Sequence, residues 1–98
     1  MTLNESQKKH LRGLAHTIKP VVMVGQHGLK DTIFEEVEIA LDAHELIKIK
    51  VSVGDREERD EIIQEICTRS DALLVQRIGN IAILFRRNPK RPRVELPR

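Results

Sequence analysis

Ninety-eight residues, 40% of them apolar and 33% charged, suffice for one small hydrophobic core and not for two. The single cysteine, Cys67, excludes an intramolecular disulfide and a cysteine-based metal site, and no run approaches the roughly 20 apolar residues of a membrane span. The net charge of +2 conceals a bipolar chain: residues 1–30 carry +4, residues 31–75 carry −8 and residues 76–98 carry +6. A fold that brings the two ends together then has a basic face suited to a polyanion and an acidic back. The N-terminus lacks the apolar core of a signal peptide, so the cytosol is the expected location.

Residues 4–18 predict a helix, with Leu11, Leu14, Ala15 and Ile18 as its apolar stripe. Either Asn4 with Gln7 or Thr2 with Glu5 can cap its start. Lys8, Lys9, Arg12, His16 and Lys19 fall within one arc of about 100° beside the stripe, with no acid after Glu5. Pro20 is expected to end this helix. Val21-Val22-Met23-Val24 reads as a buried strand that runs into Gly25-Gln26-His27-Gly28. Gly25 is expected to supply a left-handed turn conformation, and Gly28 to permit close backbone approach.

A second helix over residues 31–44, opened by Asp31 or Thr32, buries Ile33, Phe34, Val37, Ala40 and Leu41 and turns its glutamates outward. Residues 46–53 alternate: Ile47, Ile49, Val51 and Val53 face one side, Lys48, Lys50 and Ser52 the other. Gly54 breaks the strand. Asp55 with Glu58 opens a third helix striped by Ile62, Ile63, Ile66 and Cys67. Residues 72–77 and 81–86 read as a hairpin turned at Gly79-Asn80. The domain is expected to span residues 1–87; residues 88–98, with three prolines and four basic residues, read as an extended basic arm. The order α-β-α-β-α-β-β implies a single small α/β domain with a mixed four-stranded sheet covered by helices.

A strand that delivers a glycine-framed loop to a helix N-terminus presents free N–H groups and the positive end of a dipole to an anion. None of His10, His16, His27 and His44 pairs with another His, Cys or carboxylate in a recognisable metal motif, no nucleophile elbow is present, and the loop lacks the Lys-Ser/Thr of a P-loop and the third glycine of a dinucleotide fingerprint. An enzyme is not expected, nor is a metal or cofactor. Phe34 and Phe85 are the only aromatic residues, and both belong to apolar stripes, which argues against base stacking on the RRM or OB pattern. What remains is a grip on nucleic-acid backbone, as a KH domain uses its Gly-x-x-Gly loop.

Several segments together resemble the CRM domain family in its stand-alone bacterial YhbY-like form, over residues 3–86. They are Leu11-Arg12, Lys19-Pro20, Gly25-x-x-Gly28-Leu29, His44-Glu45-Leu46-Ile47-Lys48, Gln76 with Gly79, and Arg86. The resemblance implies an RNA-binding fold like that of the C-terminal domain of bacterial translation initiation factor three. It also implies association with precursors of the large ribosomal subunit, as in bacterial members. The loop interior is Gln26-His27 where the family often carries a basic residue. On this reading Gly25, Gln26, His27 and Gly28 hold phosphate, and Lys8, Lys9, Arg12, Lys30, Arg86 and Arg87 surround it. For His44, Glu45 and Lys48 two roles stay open, contact with RNA and support of the fold, of which support is the favoured one. Ribosomal RNA is the expected partner of a monomeric protein, with no membrane and no small-molecule substrate. The alternative is a protein-interaction module whose acidic helices dock a basic ribosomal protein or assembly factor.

Overall fold

In the computed structural model, which describes residues 2–98, α1 spans Glu5–Ala15, β1 Pro20–Val24, α2 Asp31–His44 and β2 Leu46–Val51. They are followed by α3 (Arg56–Ser70), β3 (Leu73–Ile78) and β4 (Ile81–Phe85). The strands form one sheet in the order β1-β2-β4-β3; β1 and β2 are parallel, and β4 runs antiparallel to both β2 and β3. This is the mixed four-stranded α/β sheet expected from the element order.

Local chemistry accounts for the element boundaries. At the start of α1 the Gln7 backbone N–H donates to Asn4 Oδ1 at 2.8 Å, and the Asn4 N–H donates to Gln7 Oε1 at 3.0 Å, a complete capping box. Asp55 Oδ1 accepts the Glu58 N–H at 2.9 Å and opens α3. Helix α1 ends before residue 18: the His16 N–H reaches back to Gly13 O and the Ile18 N–H to Ala15 O, a tightened exit that frees Pro20 to begin β1. The β3–β4 hairpin turns at Gly79, whose φ is +57°.

The sheet has two unequal sides. Helices α2 and α3 cover one face, where Val22, Val24, Ile47, Ile49, Val51, Ala82 and Leu84 meet Val37, Leu41, Ile63, Ile66 and Cys67. The Arg69 guanidinium lies 3.6 Å from the centroid of the Phe34 ring and bridges α3 to α2. On the other face Leu11 and Ala15 of α1 pack on Leu46, Val75, Ile83 and Phe85. Both chain ends lie on this second side, because Leu3, Val94 and Leu96 join the same cluster. The basic ends therefore share one side, opposite the acidic helices.

The expectation of a free arm from residue 88 needs correction. Val94 and Leu96 pack against the α1 cluster, and the segment is tied down by one carboxylate. Glu45 joins α2 to β2 with φ +61°, a conformation usually left to glycine, and its side chain is fully buried. Its Oε1 accepts the backbone N–H groups of Arg93 at 2.6 Å and Val94 at 2.9 Å; its Oε2 accepts that of Asn88 at 2.6 Å. Arg87 Nη1 adds a bond at 3.2 Å and also donates to Val94 O at 2.8 Å. A boundary after residue 87 thus cuts a packed unit. The tail's proline content rules out helix and sheet, but its backbone donors are satisfied by a side chain instead.

Burial raises the Glu45 carboxyl, but the N–H groups of Asn88, Arg93 and Val94 and the charge of Arg87 outweigh it and set the group below its ordinary value of 4.5. A folded-state value below the unfolded one gives stability that is complete above the unfolded value and is lost as pH falls through the folded one. Thermal melts from pH 7 to pH 3 are therefore expected to show a fall in melting temperature below about pH 4.5 that is much smaller in Glu45→Gln. Equal acid sensitivity in the two proteins would remove Glu45 from that role.

Candidate nucleic-acid interface

The register fixes where the glycine loop opens. Val24 pairs with Val51 at the C-terminal end of β2, and the loop begins at the next residue. Gly25 to Gly28 form a turn in which the Gly28 N–H donates to Gly25 O at 3.0 Å. Gly28, and not Gly25, carries the positive φ of +71°, and a Cβ added at either would meet nothing within 4 Å. Gly28 is thus needed for its backbone angle rather than for close approach. Gln26 and His27 at the tip are exposed. Leu29 and Lys30 separate the turn from α2, whose N-cap is Lys30 and whose first turn has no side-chain cap and includes Asp31.

The same end of the sheet is open on the α1 side. On β2 the alternation that sends Ile47, Ile49 and Val51 into the core sends Lys48 and Lys50 to the opposite face. There Lys50 lies opposite Ile81 on β4 and pairs across β1 with Met23, which is 64% exposed. Arg12 and His16, at the C-terminal end of α1, overhang Lys48, Gln76, Ile81 and Ile83 and form with them a groove of about 210 Å³. Lys9, Arg12, Lys19, Lys30, Lys48 and Lys50 have no acidic partner within 4.0 Å among the described residues; Lys8 is 3.9 Å from Glu5.

Arg86 and Arg87 lie elsewhere. They follow Phe85, which pairs with Leu46 at the N-terminal end of β2, so they sit at the end of the sheet away from the loop. Arg86 donates to Glu38 Oε1, Asp42 Oδ1 and Ser70 O, each at 2.8 Å, locking β4 to the ends of α2 and α3. The hydrogen bond to Glu38, with the charges of Glu38 and Asp42, raises its affinity for the proton despite burial. Arg87 holds Glu45. Of the ten residues expected at the interface, the structure brings the four loop residues, Lys30 and Arg12 toward one end of the sheet. It leaves Lys8 and Lys9 along α1 and gives Arg86 and Arg87 intramolecular partners. Lys50, Met23, His16 and Gln76 share that open face, and so does Lys48. The alternation of residues 46–53 carried that signal, once α2 and α3 are known to cover the isoleucine side.

Fold and surface thus define a small mixed α/β domain with an acidic helical back, a cationic half-open sheet face and a glycine turn at its rim. The pattern of the CRS1 / YhbY (CRM) domain matches residues 3–86, and the chain belongs to that family. It is 45% identical over 97 residues to an "RNA-binding protein" of Haemophilus influenzae, covering 99% of this chain and 97% of that one. A "Probable RNA-binding protein" of Pseudomonas aeruginosa is 41% identical over 90 residues, 92% of this chain and 86% of its own length. The solution structure of a Staphylococcus aureus protein described as "a putative RNA binding protein" superposes with a TM-score of 0.82 at 29% identity, covering 98% of this chain and all of the other.

Proposed function

We propose that this chain binds RNA by its sugar–phosphate backbone, with the glycine turn and the open cationic half of the sheet as one continuous surface. The observation that carries the reading is the convergence of Arg12, Lys48 and Lys50, none with an acidic partner, on the face whose rim is the turn. Unpaired cations brought together repel one another, and a polyanion relieves that cost. The names of the relatives support RNA as the polyanion. The absence of an exposed Phe, Tyr or Trp favours structured RNA over stacked single strands. We propose further that the RNA is ribosomal, that the protein acts as a cytosolic monomer on precursors of the large subunit, and that it assists their assembly without catalysing a reaction.

A salt titration tests the grip on backbone. Fluorescence anisotropy with a large-subunit rRNA fragment should give a linear fall of log affinity with log salt. Lys30→Gln with Lys50→Gln should lower that slope by about 1.4–1.8 and leave the melting temperature unchanged. An unchanged slope would take these cations off the RNA. A specific observation also favours docking of a basic protein on the acidic back: Ile39 is 70% exposed on α2, between Glu35, Glu36 and Asp42. Ile39→Lys should leave the RNA slope as in the wild type.

A further inference from the structure

We infer that the groove under the end of α1 is a seat for one ribose–phosphate unit, in which Gln76 reads the 2′-hydroxyl; this rests on the RNA-binding reading. Ile83 on β4 pairs with Lys48 on one side and with Gln76 on the other, and an irregularity between Leu74 and Gln76 leaves Gln76 on the α1 side with Val75, so the three residues form one row across β2, β4 and β3. Residues directly opposite share a face, and two strand spacings set the lysine and the glutamine backbones about 10 Å apart. Arg12 and His16 close the groove from above, and Ile81 and Ile83 form its floor.

The chemistry of that lining is specific. Three basic side chains enter the groove, no carboxylate lines it, and neither Arg12 nor Lys48 is in an ion pair among the described residues. That is a site for a monoanion such as a phosphodiester, held by charge and by N–H donors. The Gln76 amide is half-buried at the groove's far wall and has no side-chain hydrogen bond among the described residues. An amide both donates and accepts, as a ribose 2′-hydroxyl does, and that hydroxyl is what separates RNA from DNA at a given contact. Glutamine adds no charge, so its contribution is to selectivity and not to the salt-dependent affinity. Lys48 and Gln76 therefore have separable effects.

The test uses the full chain, an RNA hairpin from large-subunit rRNA, and the same hairpin with 2′-fluoro in place of every 2′-hydroxyl, which keeps the A form without a 2′ donor. The wild type is expected to bind the RNA roughly threefold to tenfold more tightly than the fluoro hairpin, the range of one or two neutral hydrogen bonds. Gln76→Leu should bind both equally, at the level the wild type shows for the fluoro hairpin. Lys48→Gln should weaken both by the same factor, keep the ratio, and lower the salt slope by about 0.7–0.9. Wild-type selectivity in Gln76→Leu, or an unchanged slope in Lys48→Gln, overturns the seat while leaving RNA binding in place. A wild type that binds neither hairpin overturns both. The wild-type ratio needs no variant, so a misfolded Gln76→Leu does not leave the inference untested.

Discussion

A chain truncated after residue 87 is expected to melt at least about 10 °C below the full-length protein. Truncation removes the Asn88, Arg93 and Val94 N–H groups from the Glu45 carboxylate and strips Val94 and Leu96 from the cluster around Leu11 and Phe85. Breaking up a buried charge's partners costs about 3–5 kcal/mol, and the figure falls to the lower end because Arg87 stays beside Glu45 and water enters the vacated space. For a domain of this size 1 kcal/mol corresponds to about 4–8 °C. Glu45→Gln keeps the shape but sets an amide N–H₂ among donors, so it should lose a smaller part of the same stability. Circular dichroism melts of the three proteins provide the check. Equal melting temperatures for the truncated and complete chains would show that the tail contributes nothing to the fold.

The largest effect on binding is expected from Gln26→Glu combined with His27→Glu. Both side chains are exposed, and neither makes a side-chain hydrogen bond among the described residues, so the turn closed by Gly28 N–H and Gly25 O should survive. A carboxylate about 4 Å from a phosphate costs up to about 4 kcal/mol at an effective dielectric near 20, reduced by screening in salt. Two of them should lower RNA affinity by about a hundredfold at 0.1 M salt with no change in the melt. The double variant is preferable to Gly28→Asp, because φ at Gly28 is +71° and any side chain there adds strain to repulsion. Wild-type affinity in a folded double variant would detach the loop from the RNA.

Features set by neighbours in sequence were legible without the structure. The Asn4–Gln7 capping box, the Asp55 cap, the alternation through β2 and the Gly79 hairpin each depend on residues a few positions apart, and each lies where the sequence places it. The charge division was legible too, because α1 and the last residues meet on one side of the sheet. What could not be read was non-local. Arg86 and Arg87 are surface cations by composition, but their carboxylates stand 42 to 48 residues earlier in the chain. The tail held only a faint mark of packing, the alternation Val94-Glu95-Leu96, too short to count as a strand. Lys48 was legible as facing away from the core, but not as lining a groove, since that depends on where α1 stops.

The Glu45 linkage also sets an order of events during synthesis. Helix α2 and strand β2 leave the ribosome with the carboxylate that joins them still lacking its donors, which lie 43, 48 and 49 residues downstream. At translation rates of about 5–20 residues per second, that interval lasts a few seconds. Through it the positive φ of 61° at Glu45 lacks the bonds that hold it in the complete chain, and β4, which leads into Arg86 and Arg87, is the last strand made. The nascent domain thus completes its sheet only with β4, which joins β3 to the β1–β2 pair, and residues 88–94 then close over the chain's own midpoint.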